Sequence, residues 1–291
     1  MNPFDLQQHI TNSIILDSQL TNYGKTEQEL KPQYMENNVW DVDLDTPVYR
    51  LFSEERFFDM LQAQQLTLVR TNLWQDPFEN FLLRATWETR NGNPIEVHDL
   101  RDRYYGQCWT LRKECDGLWR NYRGVRKDAS AAEPYAYKVA TTVRKLMDQF
   151  YDLTTPYHAL SYYIGKVTYC SDAQIKGYFA QPEPVNTPEQ MSNVRYPRTM
   201  LIKREAFSYE QEVRMIFSDN PDDSRTPAPA SPLHQVPIDV NSLFDFIELD
   251  PTMPAADRNS VEARIKAGGY TGPITQSDLY TDPNFVVRLA I

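Results

Sequence analysis

The apolar residues of this chain fall in short bursts of about strand length, separated by polar turns, prolines and stretches with helical periodicity. Val48–Phe52 reads as one such strand. Ser53 then has N-cap chemistry for a helical segment starting at Glu54 and Glu55, in which Phe57, Phe58 and Leu61 recur on one side. Leu66–Val69 alternates apolar and polar residues as the next strand. Asp76-Pro77 predicts a helix start with Asp76 as its cap, and Phe78, Phe81 and Leu82 as its core face. Further on, Tyr104–Thr110 reads as a strand and Asp116–Tyr122 as a short helix. Strands are expected at Tyr135–Ala140, Tyr162–Tyr169, Thr199–Lys203, Val213–Phe217, Leu243–Leu249 and Phe285–Ile291. Helices are expected at Thr141–Tyr151 and Ala255–Ala267, the latter stopped by Gly268-Gly269. The pattern is that of an α+β fold with many short strands.

The 291 residues, 41% of them hydrophobic, suffice for one large domain with a substantial core. Two proline-rich stretches, 181–199 and 221–232, punctuate that domain as loops. No apolar run approaches the roughly 20 residues that span a bilayer, and residues 1–19 lack a secretory apolar core, so a cytoplasmic protein with no membrane partner is expected. The cysteines, Cys108, Cys115 and Cys170, lack metal-ligand spacing, so no metal is expected either. A net charge of −10 argues against a broad nucleic-acid-coating surface. Residues 1–46 read as an acidic N-terminal extension, with Leu6, Ile10, Ile14, Ile15 and Leu16 at partly helical spacing, and 47–291 as one catalytic domain. The basic stretch 101–128 either forms solvated helix and loop faces or holds an anionic ligand.

Three places carry candidate chemistry. Tyr49-Arg50 ends an early strand, where Arg50 either faces solvent or requires an anionic partner. Cys108-Trp109-Thr110 ends a later strand and is followed by Trp119 and Tyr122 on a helix. Aromatics with a hydroxyl suit stacking on a nicotinamide or adenine ring, and they suit a core equally well. Glu210-Gln211-Glu212 leads into a strand, where i and i+2 share a face, so the two carboxylates either converge on one ligand or both face water. A fixed carboxylate there would stabilise the positive charge that develops when a glycosidic bond to ribose breaks. The run Trp74-Gln75-Asp76-Pro77-Phe78-Glu79 is distinctive; its expected job is structural, and the alternative is a direct catalytic role for Asp76 or Glu79.

These segments, together with Gly165–Tyr169, resemble the bacterial family known as domain of unknown function 2971 over about residues 47–291. The order of a strand Arg, a strand hydroxyl and Glu-x-Glu also resembles the three-part signature of ADP-ribosyltransferases. That resemblance implies a split two-sheet α+β fold with peripheral helices, gripping NAD as a substrate. It implies catalytic roles for Glu212 and Glu210, and cofactor contacts from Tyr49, Arg50, Cys108, Trp109, Thr110, Trp119 and Tyr122. Two positions depart from the pattern: Trp109-Thr110 stands where Ser-Thr-Ser is common, and Trp119 leads the aromatic helix in place of Tyr. The implied function is transfer of ADP-ribose to a nucleic acid or protein acceptor by an intracellular toxin or phage-defence effector, with an antitoxin or inhibitor protein as a partner. The alternatives are an NAD glycohydrolase and a non-catalytic nucleotide- or partner-binding module.

Overall fold

The computed structural model describes residues 24–89, 91–95, 97–124, 134–152, 160–179, 195–219 and 227–289, together with 12, 15, 16, 18 and 19. Along the chain the strands are β1 (Val39–Trp40), β2 (Pro47–Ser53), β3 (Gln65–Arg70), β4 (Trp87–Glu88), β5 (Pro94–Ile95), β6 (Tyr104–Thr110) and β7 (Ala136–Thr142). They continue as β8 (Tyr162–Lys166), β9 (Thr168–Cys170), β10 (Ile202–Arg204), β11 (Glu212–Ser218), β12 (Leu233–Pro237), β13 (Phe246–Leu249) and β14 (Ile274–Gln276). Helices lie around them, the longest described ones being Glu27–Asn38, Glu54–Ala63 and Ala255–Ala267. This is the α+β architecture that the sequence pattern predicts, with helices at its periphery as the resemblance implies.

The main sheet runs β1-β8-β11-β6-β2-β7-β13-β14, and β3, carrying β12, also pairs with β6. Strand β6 therefore serves two neighbours along one edge. Val69 and Arg70 of β3 pair with Gly106 and Tyr105, whereas β2 meets β6 through one register pair, Tyr49 with Thr110. Between these contacts the edge of β6 opens, and the sheet divides into a β11-β6-β3 half and a β2-β7-β13 half.

Alternation along β11 explains its burial on both faces. Val213, Met215 and Phe217 enter the larger core with Val48, Phe57 and Leu146, whereas Ile216 enters a second core with Trp40, Leu82 and Tyr163. Burying a leucine- or phenylalanine-sized side chain contributes about 1.5–3 kcal/mol, so these two clusters hold the halves in place.

Several expectations are corrected. Asp76 does not cap a helix: its carboxylate accepts from the Phe78 amide within a turn, and the helix that follows is only Phe81–Arg84. Phe285–Ile291 is not a strand where it is described, because residues 281–289 find no sheet edge and Phe285 is 88% exposed. Of the segment before residue 47, Glu27–Asn38 forms a helix closed by a Thr26–Glu29 capping box, and its Leu30, Tyr34 and Met35 lie in the larger core. Leu16 reaches the same core, while Leu6, Ile10 and Ile14 lie outside the described residues. So do residues 181–194 and 221–226 of the two proline-rich stretches. Among the described residues no helix is long and apolar enough to cross a membrane.

Candidate active site

Antiparallel register places Thr110 opposite Glu212 and Cys108 opposite Arg214, so these four side chains share one face at the opening of the sheet. Glu210 arrives by a different route. It ends a 3-10 turn, Glu205–Glu210, and Gln211 follows in the left-handed region at φ 43°, immediately before β11 begins at Glu212. The two acids therefore do not share a strand face through an i, i+2 spacing. They converge because the chain reverses at Gln211 and because both accept from Lys203. The hydroxyl of Thr110 fastens this reversal by donating to the Glu210 carbonyl while accepting from the Arg112 amide at 3.0 Å.

Behind the acids lies a buried ionic network. The Lys203 Nζ stands 2.7 Å from Glu210, 3.0 Å from Glu212 and 3.3 Å from Glu79. Arg214 is fully buried; its Nε donates to Glu212 at 2.7 Å, its Nη1 donates to the Met200 carbonyl and its Nη2 to Glu79. The Trp74 ring covers the Arg214 guanidinium at 4.5 Å, a stacking that requires Gly106, since a Cβ there would stand 2.5 Å from the indole. Burial raises the pKa of Glu212, but Arg214 and Lys203 outweigh it and hold the carboxyl well below the usual range. Burial, with the neighbouring Glu212, pushes Glu210 up to about 7.

A cleft of about 560 Å³ opens where the sheet divides, a size suited to a small-molecule ligand. Of the nine positions singled out from the sequence, Tyr49, Arg50, Cys108, Trp109, Thr110, Tyr122, Glu210 and Glu212 line it. Trp119 does not. It is buried in a separate cluster, where its Nε1 donates to Glu114 at 3.0 Å and its ring lies 5.1 Å from the buried Lys138 ammonium. Arg50 is half-buried at the cleft and meets no acid among the described residues. Its Nη1 donates to the Cys108 carbonyl on the open edge of β6, its buried Nε has no hydrogen-bond partner, and among the described residues no carboxylate pairs with it. Burial pushes the Cys108 thiol up to about 12, which disqualifies it as a nucleophile near neutral pH.

The sequence reading missed Glu79, Lys203 and Arg214 as parts of the site. Their signal was a charge inside an apolar strand for Arg214, between Val213 and Met215, and the distinctive Trp74–Glu79 run for Glu79. Gln75, Asn121, Phe207 and Tyr209 also line the cleft and had no signal of their own. The basic stretch is largely consumed internally: Arg103 pairs with Asp219, Arg120 with Asp116 and Arg123 with Asp250, while Arg126 and Lys127 lie outside the described residues.

No protein-family model matches the chain, and no curated protein matches it in sequence. Among solved structures it is similar to Thermus sp. 2.9 DarT in complex with NAD+, at 12% identity and a TM-score of 0.35, over 81% of this chain and 96% of that one. The same DarT in complex with ADP-ribosylated ssDNA gives 11% identity and a TM-score of 0.34, over 80% of this chain and 93% of that one. A likeness of this size assigns neither fold nor activity, and the site rests on its own geometry.

Proposed function

We propose that the chain is an NAD-dependent ADP-ribosyltransferase that modifies a macromolecular acceptor. The observation that carries this reading is the polarity of one cleft, with a guanidinium that no carboxylate pairs among the described residues on one side, and the buried Glu212 with the half-buried Glu210 on the other. A dinucleotide is itself bipolar in the matching sense, with an anionic pyrophosphate and a cationic nicotinamide ring. NAD supplies a glycosidic bond whose cleavage leaves positive charge on the ribose. The residues present fit such a substrate. The Arg50 guanidinium, which lines the cleft, supplies charge-assisted donors for a phosphate. Glu212, kept ionised and fixed by Arg214 and Lys203, supplies an oriented negative charge that needs no reorganisation. Glu210, poised near neutrality and closer to the cleft mouth, takes the proton of the acceptor nucleophile. Tyr122 is the aromatic offered for stacking, because Trp119 is buried elsewhere.

The test is incubation of the full chain with NAD labelled in its ADP-ribose moiety, together with cell lysate or single-stranded DNA. Label should enter macromolecules, and Glu212→Gln should abolish transfer with the fold retained. Release of free ADP-ribose alone would make the protein a hydrolase. Label transfer that persists in Glu212→Gln would sink the catalytic assignment.

A further inference from the structure

The run Trp74–Glu79 carries none of the chemistry proposed above, yet Trp74 and Glu79 meet the cations of the acidic site, and Asp76 and Phe78 meet Arg204 beside Lys203. Trp74 covers Arg214, Asp76 pairs with Arg204 at 2.8 Å, Phe78 packs 4.7 Å from the Arg204 guanidinium, and Glu79 touches both Lys203 and Arg214. We infer that Glu79 is a positioning residue: acting through Lys203 and Arg214, it sets how Glu210 and Glu212 divide the negative charge of the site.

Glu79, Glu212, Lys203 and Arg214 all have side chains less than a tenth exposed, and Glu210 is 18% exposed. Two cations face three carboxyl groups, so full ionisation leaves one negative charge in excess, and burial makes that excess costly. The proton that cancels it belongs on the acid with the weakest hold on the cations. Glu212 is held by Lys203 and by two donors of Arg214, and Glu79 by both cations, whereas Glu210 has Lys203 alone and stands nearest solvent. The remaining groups facing Glu210 do not change this count near neutrality. Tyr169 from β9 is pushed up to about 12, chiefly by burial, while Tyr209 on the 3-10 turn and Tyr122 across the cleft are also raised and stay neutral. Arg50 lines the same cleft and pairs with no carboxylate among the described residues. Glu79 thus occupies cation that would otherwise go to Glu210, and it does so without touching the cleft.

This inference rests on the proposed function only for its meaning; its test needs no NAD. A titration of the full chain labelled with ¹³C at glutamate carboxyls should show one resonance with a midpoint near 7, identified by its loss in Glu210→Gln. Glu79→Gln, which keeps the shape and removes the charge, should move that midpoint down by about one pH unit, and Lys203→Met should move it up by at least as much. A Glu79→Gln protein that melts earlier with the midpoint unmoved would reduce Glu79 to packing and overturn the inference. If Glu79→Gln does not fold, an unmoved midpoint in Lys203→Met overturns it just as well. Shifted midpoints in a protein that neither binds nor consumes NAD would sink the proposed function and leave this inference standing.

Discussion

Tyr49 and Thr110 form the one register pair that joins β2 to β6, and the candidate site lies where this junction narrows to a single rung. Thr110 also ties that rung to the turn before β11, since its hydroxyl fastens the Glu210 carbonyl and the Arg112 amide. Thr110→Val keeps the shape and takes their partner from two part-buried polar groups, the Glu210 carbonyl and the Arg112 amide. It is expected to cost about 1–3 kcal/mol, read as a lower urea midpoint. An unchanged midpoint would mean that the hydroxyl does not hold the turn.

Arg50 should separate binding from stability. Its only hydrogen bond within the described residues goes to a carbonyl, and no acid depends on it. Arg50→Met should therefore leave the melting temperature close to that of the wild type while weakening NAD binding about tenfold or more in calorimetry. Equal affinities would remove Arg50 from the cofactor site.

Arg214 should behave oppositely. It is fully buried, and its loss leaves Glu79 and Glu212 to share Lys203 alone. Arg214→Met is expected to destabilise the fold by about 3–5 kcal/mol in chemical denaturation, the usual cost of uncompensated buried charge.

Glu210 makes stability depend on pH in a defined window. Its folded-state pKa, about 7, lies above its ordinary value of 4.5, so its contribution is complete below about 4.5 and is lost as pH rises through about 7. Glu212 has the opposite sign: its contribution is present above the ordinary carboxylate range and is lost only as pH falls below it. Between about pH 4.5 and 7, wild-type stability should fall relative to Glu210→Gln, a difference that denaturation at a series of pH values would register. Parallel curves would place Glu210 in an ordinary solvated setting.

The segment from Phe285 to Leu289 exposes Phe285, Val286, Val287 and Leu289 at 75–88% and buries none of them. Phe285→Ser combined with Val287→Ser should change stability by less than about 0.5 kcal/mol and lower self-association in light scattering. A large loss of stability would reveal packing for these side chains.

The sequence by itself determined most of the elements and most of the cleft lining. Strand β6 and the helix Asp116–Tyr122 have the bounds their apolar spacing predicts, since side-chain periodicity is a local property. Thr110 and Glu212 sit at strand ends, where their own neighbours mark them, whereas Arg50 lies in the middle of β2 and not at the strand end that its local pattern predicts. Only the tertiary structure decided what these residues meet. Whether Phe285–Leu289 pairs depends on a free sheet edge, which no local pattern encodes. Trp119 and Tyr122 stand on one short helix, yet one is buried over Lys138 and the other opens to the cleft. Glu79, Lys203 and Arg214 come from three separate stretches of chain, and a buried charge network exists only where long-range packing excludes water around all of its members at once.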